Sequence, residues 1–297
     1  MMRLLVSVLV GLCLVALGAA AFGYHLIADR EEGASFDAGG VPIHYTLDGN
    51  GVPAVLLHGF AVNGDLNWRL PGITEVLAER FKIITPDLRG HGLSGKPHAA
   101  ELYGLELVQD VSRLLDHLDI RKVHLVGYSL GGFIALKFAA MHPDRVLTLS
   151  VLAAGWEPPD NSAFRSSLKE LANELRSGRA IGPLGVHLSA DRPQPSFLHV
   201  MAVKVMTGYF NDRHAMAALV ESLPELALSE QELRQLRVPI CSIVGSRDPM
   251  RLSAEALAAR APGVAFTLVE EADHISTIAR EETLEALRSC LTRPGAA

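Results

Sequence analysis

The apolar run Val123–Val126 ends at Gly127-Tyr128-Ser129-Leu130-Gly131, and a helical pattern, Leu130–Met141, begins with no spacer. A serine between the end of a strand and the start of a helix must sit on a sharp turn with strained backbone angles. Its hydroxyl then projects from the sheet edge. Gly127 and Gly131 remove the Cβ atoms that would clash at such a turn, and Gly132 adds room for the helix to approach the strands. Ser129 is therefore the candidate nucleophile.

The same rhythm of short apolar run, turn and helical segment recurs along the chain. Strands are predicted at Val41–Leu47, Ala54–Leu57, Phe81–Ile84, Val123–Val126, Val146–Leu152, Pro239–Val244 and Ala265–Val269. Helices are predicted over Leu66–Phe81, Leu105–Leu118, Leu130–Met141 and Glu281–Leu291. Continuous apolar strands alternating with helices indicate an α/β class, with a mostly parallel central sheet covered by helices on both faces. Between Leu152 and Val238 there are helical patterns and no strand. That stretch reads as an inserted helical cap, residues 154–237, dividing the core into residues 31–153 and 238–297.

Five motifs stand in one order: Leu57-His58-Gly59-Phe60, Asp87-Leu88-Arg89-Gly90-His91-Gly92-Leu93-Ser94, the Ser129 elbow, Gly245-Ser246-Arg247-Asp248 and Asp273-His274. On these the chain resembles the α/β-hydrolase family, specifically its members with a helical cap, over about residues 36–292. The resemblance implies a serine hydrolase with the chain order Ser, Asp or Glu, His. It implies an oxyanion hole made by the backbone N–H groups of Phe60 and Leu130. Leu130 also opens a helix, where the dipole favours an anion. Relatives that open epoxides or cleave carbon–halogen bonds carry Asp at the elbow, so Ser129 points to acyl chemistry instead.

A serine hydroxyl needs a base, and the base needs an orienting group. Asp248 follows the strand pattern ICSIV and His274 follows AFTLV, both past strand C-terminal ends, where open α/β sheets place their sites. His274 is assigned as general base and then acid, Asp248 as its orienter. Asp273, adjacent to His274, and Glu157, beyond the Leu152 strand, are alternative acids. His58 reads as a brace for the oxyanion loop, His91 as a turn residue and His124 as a structural strand residue.

The expected substrate is a small or medium apolar acyl compound: a carboxylester, lactone or thioester. Carbon–carbon hydrolysis, acyl transfer and non-catalytic ligand binding are the alternatives. The chemistry requires no cofactor, and no Cys/His spacing resembles a metal site. The net charge of −6 comes without a Lys/Arg cluster, which argues against a nucleic-acid partner.

Residues 4–28 carry no Lys, Arg, Asp or Glu. Residues 1–30, which hold this run, read as a transmembrane anchor, since roughly 20 apolar residues span a bilayer, or as a cleaved signal ending near Ala19-Ala20-Ala21, with a buried core helix as the remaining alternative. Arg3 before the run and Asp29, Glu31 and Glu32 after it orient the main domain outside the cytoplasm in the first two cases. The protein is expected to be exported, membrane-anchored if uncleaved and secreted or periplasmic if cleaved. Of three cysteines, Cys13 lies in this leader. Cys241 and Cys290 read as two small buried hydrophobes, with a disulfide as the alternative. The apolar stretches Phe197–Met201 and Val205–Phe210 would line an acyl pocket or pack the cap onto the sheet.

Overall fold

The computed structural model describes residues 33–178 and 211–293. The leader, Phe197–Met201 and Val205–Phe210 lie outside the described residues. Eight strands form one sheet: β1 Ala34–Asp37, β2 Pro42–Asp48, β3 Val52–Leu57, β4 Phe81–Pro86, β5 Val123–Tyr128, β6 Val146–Leu152, β7 Ile240–Gly245 and β8 Ala265–Val269. Their order is β1-β2-β4-β3-β5-β6-β7-β8. From β4 across to β8 every neighbouring pair is parallel, and β2 runs antiparallel to β4.

The described helices of the core are α1 Ile73–Ala78, α2 Leu105–His117, α3 Leu130–Met141, α6 Glu230–Gln235, α7 Arg251–Arg260 and α8 Glu281–Leu291, with α4 Ser162–Ser177 and α5 Arg213–Ser222 between β6 and β7. Strand residues alternate between two cores, as a pleated sheet covered on both faces requires. Val55 and Leu57 of β3 pack with Leu107, Val111 and Leu114 of α2 and Ile134 and Phe138 of α3. Ala54 and Leu56 pack on the opposite face with Ile73 and Leu77 of α1 and Leu287 and Leu291 of α8.

Helices α4 and α5 carry a separate apolar cluster, Leu168, Ala172 and Leu175 against Met216, Ala217 and Val220. Each is capped by its own sequence. Asn161 accepts from Phe164 N at 3.0 Å, and Asp212 accepts from His214 N at 2.7 Å. Helix α6 begins in a reciprocal capping box of Ser229 and Glu232. Its Leu233 joins the first core.

Two expectations are corrected. Leu66–Phe81 is not one helix. A π-helical turn, Asp65–Arg69, precedes α1, and Gly72 between them takes φ 80°, outside helical space. The two buried cysteines are not free: Cys241 of β7 and Cys290 of α8 form a disulfide, their Cα atoms 6.1 Å apart and within bridging range. Their separation of 49 positions in sequence hid this proximity. Among the described residues no helix is long and apolar enough to cross a membrane, and no cluster of three or more His, Cys, Asp or Glu could hold a metal ion.

Candidate active site

Parallel strands deliver their C-terminal ends, and the turns that follow, to one edge of the sheet. At the end of β5, Ser129 takes φ 52° and ψ −113°, a conformation non-glycine residues rarely adopt. The packing leaves no room for side chains on the flanking glycines. A Cβ on Gly127 would lie 2.1 Å from the carbonyl oxygen of Gly131, and one on Gly131 would lie 2.2 Å from that of Leu57. Ser129 N donates to Leu152 O at 2.8 Å, tying the elbow to β6.

The turns after β7 and β8 bring Asp248 and His274 to the same place. Arg247 N donates to Ala272 O at 2.9 Å, joining the two turns. His274 Nδ1 lies 2.9 Å and 3.0 Å from the two oxygens of Asp248, and its Nε2 lies 3.0 Å from Ser129 Oγ. An ionised carboxylate only accepts, so Nδ1 carries the ring proton and donates to it. Nε2 is then left to accept from the serine hydroxyl. Asp248 also accepts from Met250 N at 2.8 Å. Both Asp248 and His274 are buried.

The alternative acids are engaged elsewhere. Asp273 accepts from Ile275 N, Ser276 N and Ser276 Oγ. Glu157 accepts from Ser253 and from Asn161 Nδ2.

Phe60 and Leu130 line the cavity that also contains Ser129 and His274. The residues flanking Phe60 are clamped on every backbone polar group. Gly59 N donates to Asn67 Oδ1 at 2.9 Å, and His58 Nδ1 donates to Gly59 O at 2.7 Å. Ala61 N donates to His91 Nε2 at 3.1 Å, and Asn211 Nδ2 donates to Ala61 O at 2.9 Å. The remaining nitrogens of both histidines are also used: His58 Nε2 accepts from Leu88 N at 2.9 Å, and His91 Nδ1 donates to Arg89 O at 3.2 Å. Each ring donates from one nitrogen and accepts at the other, which requires the neutral form. Burial, reinforced by neighbouring His58, lowers the His91 pKa to about 3. His124 is a structural strand residue bonded to Thr148 at 2.8 Å, and burial lowers its pKa to about 4.

Sequence reading alone gives His58 its bracing place but leaves His91 as a turn residue and passes over Asn67, Asn211 and Tyr128. The Tyr128 hydroxyl donates to the main-chain carbonyl of His274. It lies inside the elbow motif, yet no sequence signal links it to a residue 146 positions away.

The cavity has a volume of about 380 Å³. Phe133, Phe164, Leu168, Leu171 and Val220 form its apolar walls, and several of these come from α4 and α5. Among its described lining residues none is Lys or Arg.

The sequence model of the alpha/beta hydrolase fold matches residues 53–178. The dihydrolipoyllysine-residue acetyltransferase component of the acetoin cleaving system of Pseudomonas putida is 36% identical over 66% of this chain and 49% of its own length. This chain thus spans about half the length of that relative. The pimeloyl-[acyl-carrier protein] methyl ester esterase of Aliivibrio fischeri is 28% identical over 85% of this chain and 98% of its own length. Among solved structures, the enol-lactonase of Burkholderia xenovorans superposes with a TM-score of 0.72 at 23% identity, over 88% of this chain and all of the other, a likeness of fold.

Proposed function

The chain belongs to the α/β-hydrolase fold family, and from that premise we propose that it is a serine hydrolase cleaving a carboxylester, lactone or thioester bond in a small or medium apolar substrate. One observation carries this reading: Ser129, His274 and Asp248 are hydrogen-bonded in series at the wall of an apolar cavity. Similarity to an esterase along nearly its whole length supports the ester class. The apolar walls formed by Phe133, Phe164, Leu168, Leu171 and Val220 support an apolar acyl group.

On this reading the steps are as follows. His274 Nε2 takes the Ser129 proton as Oγ attacks the carbonyl carbon. Asp248 stabilises the imidazolium that forms. The N–H groups of Phe60 and Leu130 receive the developing oxyanion, with α3 presenting its positive end to it. His274 then protonates the leaving group, and the acyl-enzyme is released by a water that His274 deprotonates in turn. No step needs a cofactor.

The Cys241–Cys290 disulfide supports the further reading that the catalytic domain works outside the cytoplasm, since such bonds persist in oxidising compartments.

The test is fluorophosphonate labelling, with p-nitrophenyl ester turnover, of the full chain and of its Ser129→Ala variant. Labelling should vanish in the variant, and kcat should fall by roughly 10⁴–10⁶. A variant retaining more than about a tenth of the activity would sink the assignment.

A further inference from the structure

Two cavities share a wall beside the nucleophile. Phe133, Phe164 and Leu223 line both the catalytic cavity and a second, narrower cleft. Phe133 lies one helical turn beyond Ser129 on α3, so a group leaving the serine along this helix meets its ring. The ring stands 6.2 Å from that of Phe164 on α4. Past this pair, the cleft is bounded by Trp156, Pro158, Leu226 and Ala227.

Its chemistry is that of a hydrocarbon site. Trp156 Nε1 already donates to Leu228 O at 2.9 Å, and both carboxylate oxygens of Glu157 already accept from Ser253 and Asn161. Arg165, the cleft's other charged residue, is exposed. The volume is about 40 Å³. The cleft is small beside the catalytic cavity of about 380 Å³, so it suits the end of a chain and not a whole acyl group.

We propose that this cleft is the end-subsite for a linear, unbranched acyl chain. The chain is carried on Ser129, runs over Phe133 and passes between Phe164 and Leu223. Its last few methylenes end against Trp156 and Ala227. The proposal rests on the serine-hydrolase reading and narrows its substrate to straight-chain acyl compounds long enough to reach from Ser129 past Phe133 to the cleft.

The experiment compares kcat/KM over p-nitrophenyl esters from acetate to palmitate in the wild-type chain, Ala227→Phe and Phe164→Ala, with thermal unfolding confirming that each is folded. In the wild type, kcat/KM should climb with chain length and then plateau. Ala227→Phe fills the far end of the cleft and should cut the long-to-short ratio by roughly 50-fold, the effect of about three methylenes at about 0.8 kcal/mol each. Phe164→Ala removes part of the shared wall and should admit branched long acyl groups that the wild type rejects. If Ala227→Phe lowers all lengths alike, or Phe164→Ala leaves branched chains rejected, the subsite is overturned while the hydrolase reading stands. If the wild type neither labels with fluorophosphonate nor turns over any ester, both are overturned.

Discussion

The two backbone segments that face the reacting carbonyl are held by different physics. The elbow around Ser129 is fixed largely by sterics: a Cβ on Gly127 would press on Gly131 O within the turn, and one on Gly131 would press on Leu57 O at the end of β3. The loop Gly59–Ala61 is fixed by side chains, His58 next to it and Asn67, His91 and Asn211 from farther along the chain. Ala61 takes φ 59°, a strained value for alanine that costs of order 1–3 kcal/mol and needs those bonds to persist. One half of the site is thus rigid by exclusion and the other by attachment. The first should tolerate no added atom and ignore pH. The second should tolerate added atoms but fail when a clamp is lost or protonated.

The sharpest way to break this contrast is Gly131→Ala. The new Cβ would meet Leu57 O at 2.2 Å and His58 O at 2.8 Å, both backbone atoms in the core. A loss of stability beyond about 4 kcal/mol is expected, in the range where point changes become diagnostic. Chemical denaturation measures it, and fluorophosphonate labelling should disappear. A variant with wild-type stability and labelling would show that the elbow is not sterically determined.

The loop is tested next, at His91. Phe at this position removes the acceptor for Ala61 N and should lower kcat by roughly 10²-fold with little change in KM, comparable to weakening one oxyanion donor. Gln retains an acceptor and should rescue most of that loss. The pH dependence has a definite sign. The folded pKa of about 3 lies below the unfolded value of about 6.5, so the neutral ring stabilises the fold. That contribution is complete above about pH 6.5 and is lost as pH falls toward 3. His124, at about 4 in the fold, acts in the same direction. Wild-type unfolding should therefore steepen below pH 6.5, and His91→Gln should remain folded to lower pH. An acid limb identical in wild type and His91→Gln would remove His91 from the account.

The same contrast explains what could be read from the sequence. The elbow was legible because its pattern is local: strand, Gly-x-Ser-x-Gly and helix all lie within one continuous stretch. The parallel sheet was legible from apolar runs such as Ala54–Leu57, which is buried on both faces and so lacks polar alternation. Asp248 and His274 could be named because each follows a recognisable strand, though only the fold brings them within 3.0 Å of their partners. Of the clamp only His58 was legible. His91 lies in the Asp87–Ser94 motif, but nothing there points to Ala61; Asn67 carries no motif signal for Gly59, and Asn211 is 150 positions from its acceptor. The Cys241–Cys290 bond and the break at Gly72 were misread for related reasons. The first depends on distant packing, and the second on a single backbone dihedral inside an otherwise helical apolar pattern.

Tyr128 sharpens the comparison because it belongs to both regimes. It sits within the sterically fixed elbow, yet its hydroxyl holds the carbonyl of His274, an attachment across the fold. Burial, with Asp248 nearby, raises its pKa above the usual phenol value, so it remains a donor throughout the working range. Tyr128→Phe keeps the ring and its edge-on contact with Trp68, 6.2 Å between centroids, and deletes only the bond. The His274 carbonyl then loses a buried partner, at about 1–3 kcal/mol. Because Asp248 still holds the imidazole by two contacts, the effect on kcat should be only a few-fold, with KM unchanged. A Tm drop without a kcat change would make Tyr128 part of the scaffold. A kcat loss as large as that of His91→Phe would mean that the position of the base depends on attachment as much as the oxyanion loop does, and that only the nucleophile is held by exclusion.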